Sequence, residues 1–173
     1  MEFYPSISKG AGRLTDAYGL AVATAEVEVD TETGHVKVLK IVLADDCGFE
    51  INPLAVKVQL ESQAVMGIGD ALFEEVVCEK GRIINANFKD YRIAGVLDIP
   101  PLECIAIQTL EPKGPYGAKE VGEGARAPVA PAIANAIADA IGVRIKEFPI
   151  TPESILRALK EKEGAVDHGP VQI

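Results

Sequence analysis

Between Gly114 and Ala125 the chain reads Gly-Pro-Tyr-Gly-Ala-Lys-Glu-Val-Gly-Glu-Gly-Ala, twelve residues with four glycines and three charged side chains. Glu123 stands between Gly122 and Gly124, and an alanine-rich helical pattern follows. Glycines reach backbone conformations closed to other residues and let the chain approach a second group closely. The first N–H groups of a helix have no partner within it, so free donors are expected where the loop ends. A carboxylate at this point has two uses. It can act as a charge partner for the helix N-terminus, or as a positioned acid or base. Residue types alone leave both open.

Other reactive side chains are weaker candidates. Asp45-Asp46 puts two carboxylates side by side but lacks the oxygen-ligand spacing of a calcium loop, so a solvated or hydrogen-bonded loop is expected there. Cys47, Cys78 and Cys104 are odd in number and contain no C-x-x-C pair, which supports neither a zinc nor an iron–sulfur site. They read as buried, reduced thiols. His35 follows a turn signal and reads as an exposed hairpin residue. Gln59, Gln63 and Met66 share one side of a helical pattern, and on spacing alone Gln59 is a surface glutamine.

Several of these stretches together resemble the molybdenum hydroxylases, the xanthine dehydrogenase and aldehyde oxidase family. Lys119-Glu120-Val121-Gly122-Glu123-Gly124 is similar to its K-x-V-G-E signature. The likeness continues through Ala132–Gly142 and Pro149–Leu156. Gln59-Leu-Glu61 and Gly67-Ile-Gly69 resemble the family's Q-x-E-G…Q-G-x-G helix, with Ser62 in place of a glycine and Met66 in place of a second glutamine. Asp90–Ile93 and Asp98–Pro101 resemble its Y-x-I/L-P…D-I/M-P connection, with Ala94 where proline is usual. The resemblance implies the C-terminal part of a molybdopterin-binding large subunit. It implies Glu123 as general base, and Gln59, Lys119, Val121 and Gly122 as cofactor contacts, with no protein ligand to the metal. The implied cofactor is molybdenum-molybdopterin, in the cytosine dinucleotide form. Iron–sulfur clusters and FAD would sit only on partner domains or chains.

The implied reaction is hydroxylation of a carbon in a heterocycle, aldehyde or aryl thioester. Gly114–Glu120 also resembles the corresponding loop of 4-hydroxybenzoyl-CoA reductases, which run a reduction, so direction stays open. Expected partners are the remaining molybdopterin-binding segment, the iron–sulfur and flavin subunits, a small-molecule substrate and a second copy of the chain. A non-catalytic assembly module or an inactive remnant is the competing reading.

The net charge of −9 argues against nucleic acid and against an anionic membrane surface, both of which need clustered Lys and Arg. No apolar run approaches the length of a membrane span, and the N-terminus lacks the apolar stretch of a signal peptide, so a cytoplasmic protein is expected. With 48% hydrophobic residues, 5% aromatics and no tryptophan, the core must be built from Val, Ile, Leu and Ala.

The elements that must position these residues follow from periodicity and punctuation. Residues 1–16 read as an arm leading into a core at 17–162, with 163–173 a loose tail. Ala21–Asp30 and His35–Ala44 alternate as strands around Thr31-Glu32-Thr33-Gly34, a hairpin. In the second strand, Val36, Val38 and Lys40 are expected opposite Lys37, Leu39 and Ile41. Asn52-Pro53 predicts the start of a helix towards Phe73, with Leu54, Val58, Val65, Ile68 and Leu72 as its apolar stripe. Glu74–Glu79 and Arg82–Phe88 predict a second hairpin, and Leu102–Leu110 another strand. A helix from Pro128 or Pro131 to Gly142 buries Val129, Ile133, Ile137 and Ala140–Ile141. A strand at Val143–Phe148 and a helix from Thr151-Pro152 to about Glu161 complete an α+β fold of antiparallel hairpins and about three packed helices, the type of a C-terminal molybdenum-cofactor-binding domain.

Overall fold

A computed structural model describes residues 17–167; the arm expected at 1–16 and the last six residues of the expected tail lie outside the described residues. The chain is α+β. Strands β1 (Ala21–Val29) and β2 (Val36–Asp46) form the expected antiparallel hairpin. Asp30 Oδ1 accepts from the N–H groups of Glu32 and Thr33 at 2.8 and 3.2 Å, and Gly34 takes the positive φ of 75° that closes the turn.

Simple alternation fails inside β2. Glu26 pairs with Lys40 and Val27 with Val38, so Leu39 is an extra residue in a bulge. One inserted residue reverses which face the following side chains take. Ile41 and Leu43, placed by alternation opposite Val38, therefore join it in the core. The strand also continues beyond Ala44 to include Asp45 and Asp46, so they lie in a strand rather than in the solvated or hydrogen-bonded loop expected; both are buried, and Asp46 is hydrogen-bonded.

Helix α1 (Pro53–Leu72) begins as predicted: Asn52 Oδ1 accepts from Ala55 N–H at 3.1 Å, and Pro53 occupies the first position. Its buried side is rotated from the expected stripe. Val56, Leu60, Ala64, Ile68 and Ala71 face the core, whereas Leu54 and Val58 are exposed. The cause is Gly67. A Cβ there would overlap the Val129 side chain, so the glycine side of α1 turns inward to let helix α2 (Val129–Ile141) approach.

After α1 the hairpin predicted across residues 74–88 shrinks to β3 (Cys78–Glu79) and β4 (Arg82–Ile83), and Cys78 is exposed rather than buried. Strand β5 (Leu102–Ile107) pairs parallel to β2, giving a mixed sheet in the order β1-β2-β5. Parallel neighbours need a long crossover, and α1 supplies it.

Helix α2 buries Val129, Ile133, Ile137 and Ile141; Ala140 is exposed. Gly142 ends the helix at φ 67°, and Lys162 Nζ donates to Ile141 O at 2.9 Å. The stretch expected as a strand at 143–148 is irregular, and Ile150 N–H donates to Ala71 O at 2.7 Å, which ties it to the end of α1. Helix α3 (Pro152–Asp167) runs past Glu161 into the stretch expected as tail.

The α1–α2 contact generates a prediction. Gly67→Ala gains roughly 1 kcal/mol of helix propensity, but overpacking against Val129 should cost about 1–3 kcal/mol. Net destabilisation is expected in chemical denaturation, with Val129→Ala in the same chain recovering part of it. A Gly67→Ala chain more stable than the parent would show that the helices are not held at this distance.

Candidate functional site

The C-terminal end of β2 and the loop after β5 are built onto each other. Lys119 N–H donates to Cys47 O at 2.8 Å, and Phe49 N–H donates to Gly117 O at 3.0 Å. Gly48, at φ 65°, faces Ala118 in a single antiparallel bridge, and a Cβ on Gly48 would overlap Gly117 O. Glycine is required there because both the dihedral and the space exclude a side chain.

Side chains lock the same junction. Lys119 Nζ lies 2.7 Å from Asp46 Oδ2, with the two side chains 8% and 9% exposed. Asp46 Oδ1 accepts from the N–H groups of Thr109 at 3.0 Å and Gly48 at 3.2 Å. The Lys119 ammonium, helped by these N–H donors, holds the Asp46 carboxyl down to about 2. Asp45, one residue earlier and on the inward side, is 1% exposed and its Oδ2 has no hydrogen-bond partner among the described residues. Burial pushes its carboxyl up to about 6, with the charges of Glu120 and Asp46 adding to the rise and Lys119 opposing it.

Beyond Lys119 the loop is open. The backbone N–H groups of Val121, Gly122 and Glu123 donate to no described residue, as the sequence pattern implies for this loop. Glu123 opens its own one-turn 3-10 helix (Glu123–Ala125) rather than α2, which starts six residues later at Val129. Its carboxylate is exposed and accepts no hydrogen bond from a described residue. The Glu120 carboxylate, by contrast, accepts from Gly124 N–H at 3.3 Å. A helix-terminal charge effect fades within the first turn, so Glu123 lies too far from α2 to serve it.

The turn bearing Glu123 docks on α1. Arg126 N–H donates to Glu123 O at 3.1 Å, and the Arg126 guanidinium forks onto Asp70, with Nε 2.5 Å from Oδ2 and Nη2 on Oδ1. Asp70, Met66 and Gln59 are spaced by four and seven residues, so they share one stripe of the helix. Gln59 lies on it with an exposed side chain, roughly 10 Å along the axis from Met66 at 1.5 Å per residue. Gln63, between them, is 6% exposed and its Oε1 has no hydrogen-bond partner among the described residues.

Of the expected contacts, the structure thus puts Val121, Gly122 and Glu123 on one loop, which docks on α1 at Asp70 and Met66, and Gln59 on the same stripe of α1 nearer its start. Lys119 faces away, its ammonium taken up by Asp46. Tyr91, in the Asp90–Ile93 stretch, donates to Glu74 Oε2 at 2.5 Å. Sequence reasoning missed Arg126 and Asp70, which belong to no motif, and missed the pairing of Asp46 although the adjacent carboxylates flag it. Among the described residues no group of three or more His, Cys, Asp or Glu is placed to hold a metal ion.

Two stability predictions follow from the junction. Removing one partner of a buried ion pair leaves an uncompensated charge and costs about 3–5 kcal/mol, so Lys119→Met should lower the denaturation midpoint sharply, and a loss below about 1 kcal/mol would show the pair to be dispensable. The two aspartates act in opposite directions with pH. Asp46, held low in the folded state, stabilises above about pH 4 and loses that contribution as pH falls towards 2. Asp45, held high, costs stability as pH rises from about 4 through 6. Asp45→Asn should therefore be more stable than the parent at about pH 7, by on the order of 3 kcal/mol, with the difference vanishing near pH 4. An equal difference at both pH values in paired melting curves would refute this.

Comparison with known proteins gives the family. Residues 1–100 match the molybdopterin cofactor-binding domain family. The chain is 37% identical over 132 residues to the putative xanthine dehydrogenase molybdenum-binding subunit of Escherichia coli strain K12, covering 75% of this chain and 18% of that protein. It is 37% identical over 149 residues to the nicotine 6-hydroxylase large subunit of Paenarthrobacter nicotinovorans, covering 83% and 18%. The chain thus spans about a fifth of the length of the curated relatives it matches. Among solved structures, the aldehyde oxidoreductase of Desulfovibrio gigas superposes with a TM-score of 0.77 at 36% identity, over 84% of this chain and 16% of that one. Quinoline 2-oxidoreductase of Pseudomonas putida 86 superposes at 0.73 and 33% identity, over 78% and 18%. A match over 100 residues, with relatives and structures of one kind behind it, makes the chain a molybdopterin cofactor-binding domain of the xanthine dehydrogenase and aldehyde oxidoreductase family.

Proposed function

We propose that this chain forms the C-terminal portion of a molybdenum hydroxylase large subunit, in which Glu123 is the general base for hydroxylation of a heterocycle, aldehyde or aryl-thioester carbon. The observation that carries the reading is the state of Glu123. Its carboxylate is exposed, has no hydrogen-bond partner among the described residues and is too far from α2 to be a helix charge partner.

The residues present fit a pterin-bound metal. Such a metal arrives with its own dithiolene ligands and needs donors and acceptors from the chain. The exposed Gln59 amide offers two donors and an acceptor, and the N–H groups of Val121 and Gly122 are unpaired among the described residues. The orphaned Oε1 of Gln63 is an acceptor on the same stripe. Lys119 contributes by fixing the loop to β2 rather than by contact. When bound, the cofactor, proposed in its cytosine dinucleotide form, would supply oxygen-transfer and two-electron redox chemistry. Glu123 holds the proton released in that step on a carboxylate oxygen, general-base help of ~10²–10⁴-fold. Iron–sulfur and flavin partners carry the electrons onward.

Enclosing a cofactor takes walls on several sides, and this chain supplies one helix stripe and one loop. The remaining molybdopterin-binding segment completes the site. Leu54 and Val58 near the start of α1, and Phe88, Val96 and Leu97 in the segment after it, are all more than half exposed, apolar side chains suited to cover by that segment or by a second copy.

In the assembled enzyme, Glu123→Gln should lower kcat ~10²-fold or more while molybdenum content and melting temperature stay near those of the parent. Full turnover in that variant would remove Glu123 from the chemistry and favour the non-catalytic assembly reading.

A further inference from the structure

Glu123 is bracketed by two ion pairs that reach different elements. Four residues before it, Lys119 holds Asp46 at the end of β2, 2.7 Å away. Three residues after it, Arg126 forks onto Asp70 of α1. The downstream pair is unlike the upstream one in exposure: the Arg126 and Asp70 side chains are 40% and 33% exposed. Half-exposed pairs contribute little to folding stability, so the main consequence of this one is geometric. Two parallel N–H···O bonds fix orientation as well as distance, which a lysine cannot do.

Arg126 is also bonded in two directions at once. Its backbone N–H holds Glu123 O at 3.1 Å, closing the single turn that carries Glu123. Its side chain holds α1, where Nη1 additionally lies 3.9 Å from Met66 Sδ. The contacted positions, Met66 and Asp70, continue the stripe that begins at Gln59. A shift of the fork would therefore move Glu123 relative to Gln59 without disturbing either side chain directly. Displacement of a catalytic group by about 1 Å costs on the order of 10²-fold in rate.

We infer that Arg126 and Asp70 are positioning residues, a fork that sets the turn bearing Glu123 against the α1 stripe bearing Gln59. The inference rests on Glu123 acting as the base. Neither Arg126 nor Asp70 touches the reacting atoms in this assignment; both act through the backbone of residues 123–126.

The test compares Arg126→Lys, Asp70→Asn, the double variant and Glu123→Gln in the cofactor-loaded assembled enzyme, with Arg157→Ala as a remote control. Arg157 pairs with Glu147 on an exposed surface away from this loop. Expected is a fall in kcat of ~10-fold or more in each fork variant, with KM within about twofold and melting temperature and molybdenum content unchanged. The double variant should be no worse than the worse single one, because the two act as a unit. Hydrogen exchange on the 173-residue chain without cofactor gives a second readout, in which the peptide spanning residues 119–128 should exchange faster in both fork variants. Parental kcat in Asp70→Asn, multiplicative losses in the double variant, or unchanged exchange would each overturn the assignment. If Glu123→Gln keeps full turnover, the base reading fails and the positioning role fails with it; if Glu123→Gln is inactive while the fork variants are normal, only the positioning role fails. Should a fork variant not load cofactor, the exchange measurement on the chain alone decides.

Discussion

The buried contact between Lys119 and Asp46 is the constraint on which the site depends. It joins positions 73 residues apart in sequence, and the loop it fixes has almost no regular structure of its own. Both side chains are nearly withdrawn from water. A lone charge in that place would be costly; the pair is tolerable because each charge finds the other and Asp46 also accepts two N–H groups. The backbone repeats the same junction through Cys47, Gly48 and Phe49. With these contacts in place the loop after β5 is tied to the end of β2, and Val121, Gly122 and Glu123 follow directly, their N–H groups unpaired among the described residues.

Strand alternation gives the two adjacent aspartates different fates. Asp46 points to where Lys119 can reach it, and its carboxyl is held near 2. Asp45 points into the layer between sheet and helices, finds no donor for Oδ2 and is raised to about 6. The bulge at Leu39 decides which of the two faces inward. Without that extra residue the phase of β2 would be reversed, Ile41 and Leu43 would leave the core, and Asp46 would take the inward place. A local irregularity in a hairpin thus sets the electrostatics of a loop far along the chain.

Elements marked by local chemistry were legible in the sequence. Asn52-Pro53, Gly34 and Gly142 each satisfy or terminate backbone hydrogen bonding in a way that needs no tertiary information, and the boundaries they imply are those observed. Burial was less legible. The rotated face of α1 depends on Gly67 meeting Val129, sixty-two positions away, and the parallel pairing of β5 depends on the path of α1. Strand pattern at 143–148 lost to the pull of Ile150 on Ala71. In the site, the motif around Glu123 can be read directly, whereas the partners of Lys119 and Arg126 cannot, since an ion pair leaves no spacing signature when its members lie on separate elements.

Charge around Glu123 is arranged to leave that carboxylate alone. The chain is acidic, and the two basic residues nearest Glu123 in sequence are each already committed to an aspartate, Lys119 to Asp46 and Arg126 to Asp70. Neither forms an ion pair with Glu123. A carboxylate locked to a neighbouring guanidinium would resist taking up a proton and would be turned away from an incoming group. By pairing both cations elsewhere, the fold keeps the loop anchored at either side and leaves Glu123 as a carboxylate with no partner among the described residues. The aspartates that secure the backbone are the same groups that keep Glu123 free, so fixing the loop and freeing its carboxylate are one arrangement rather than two.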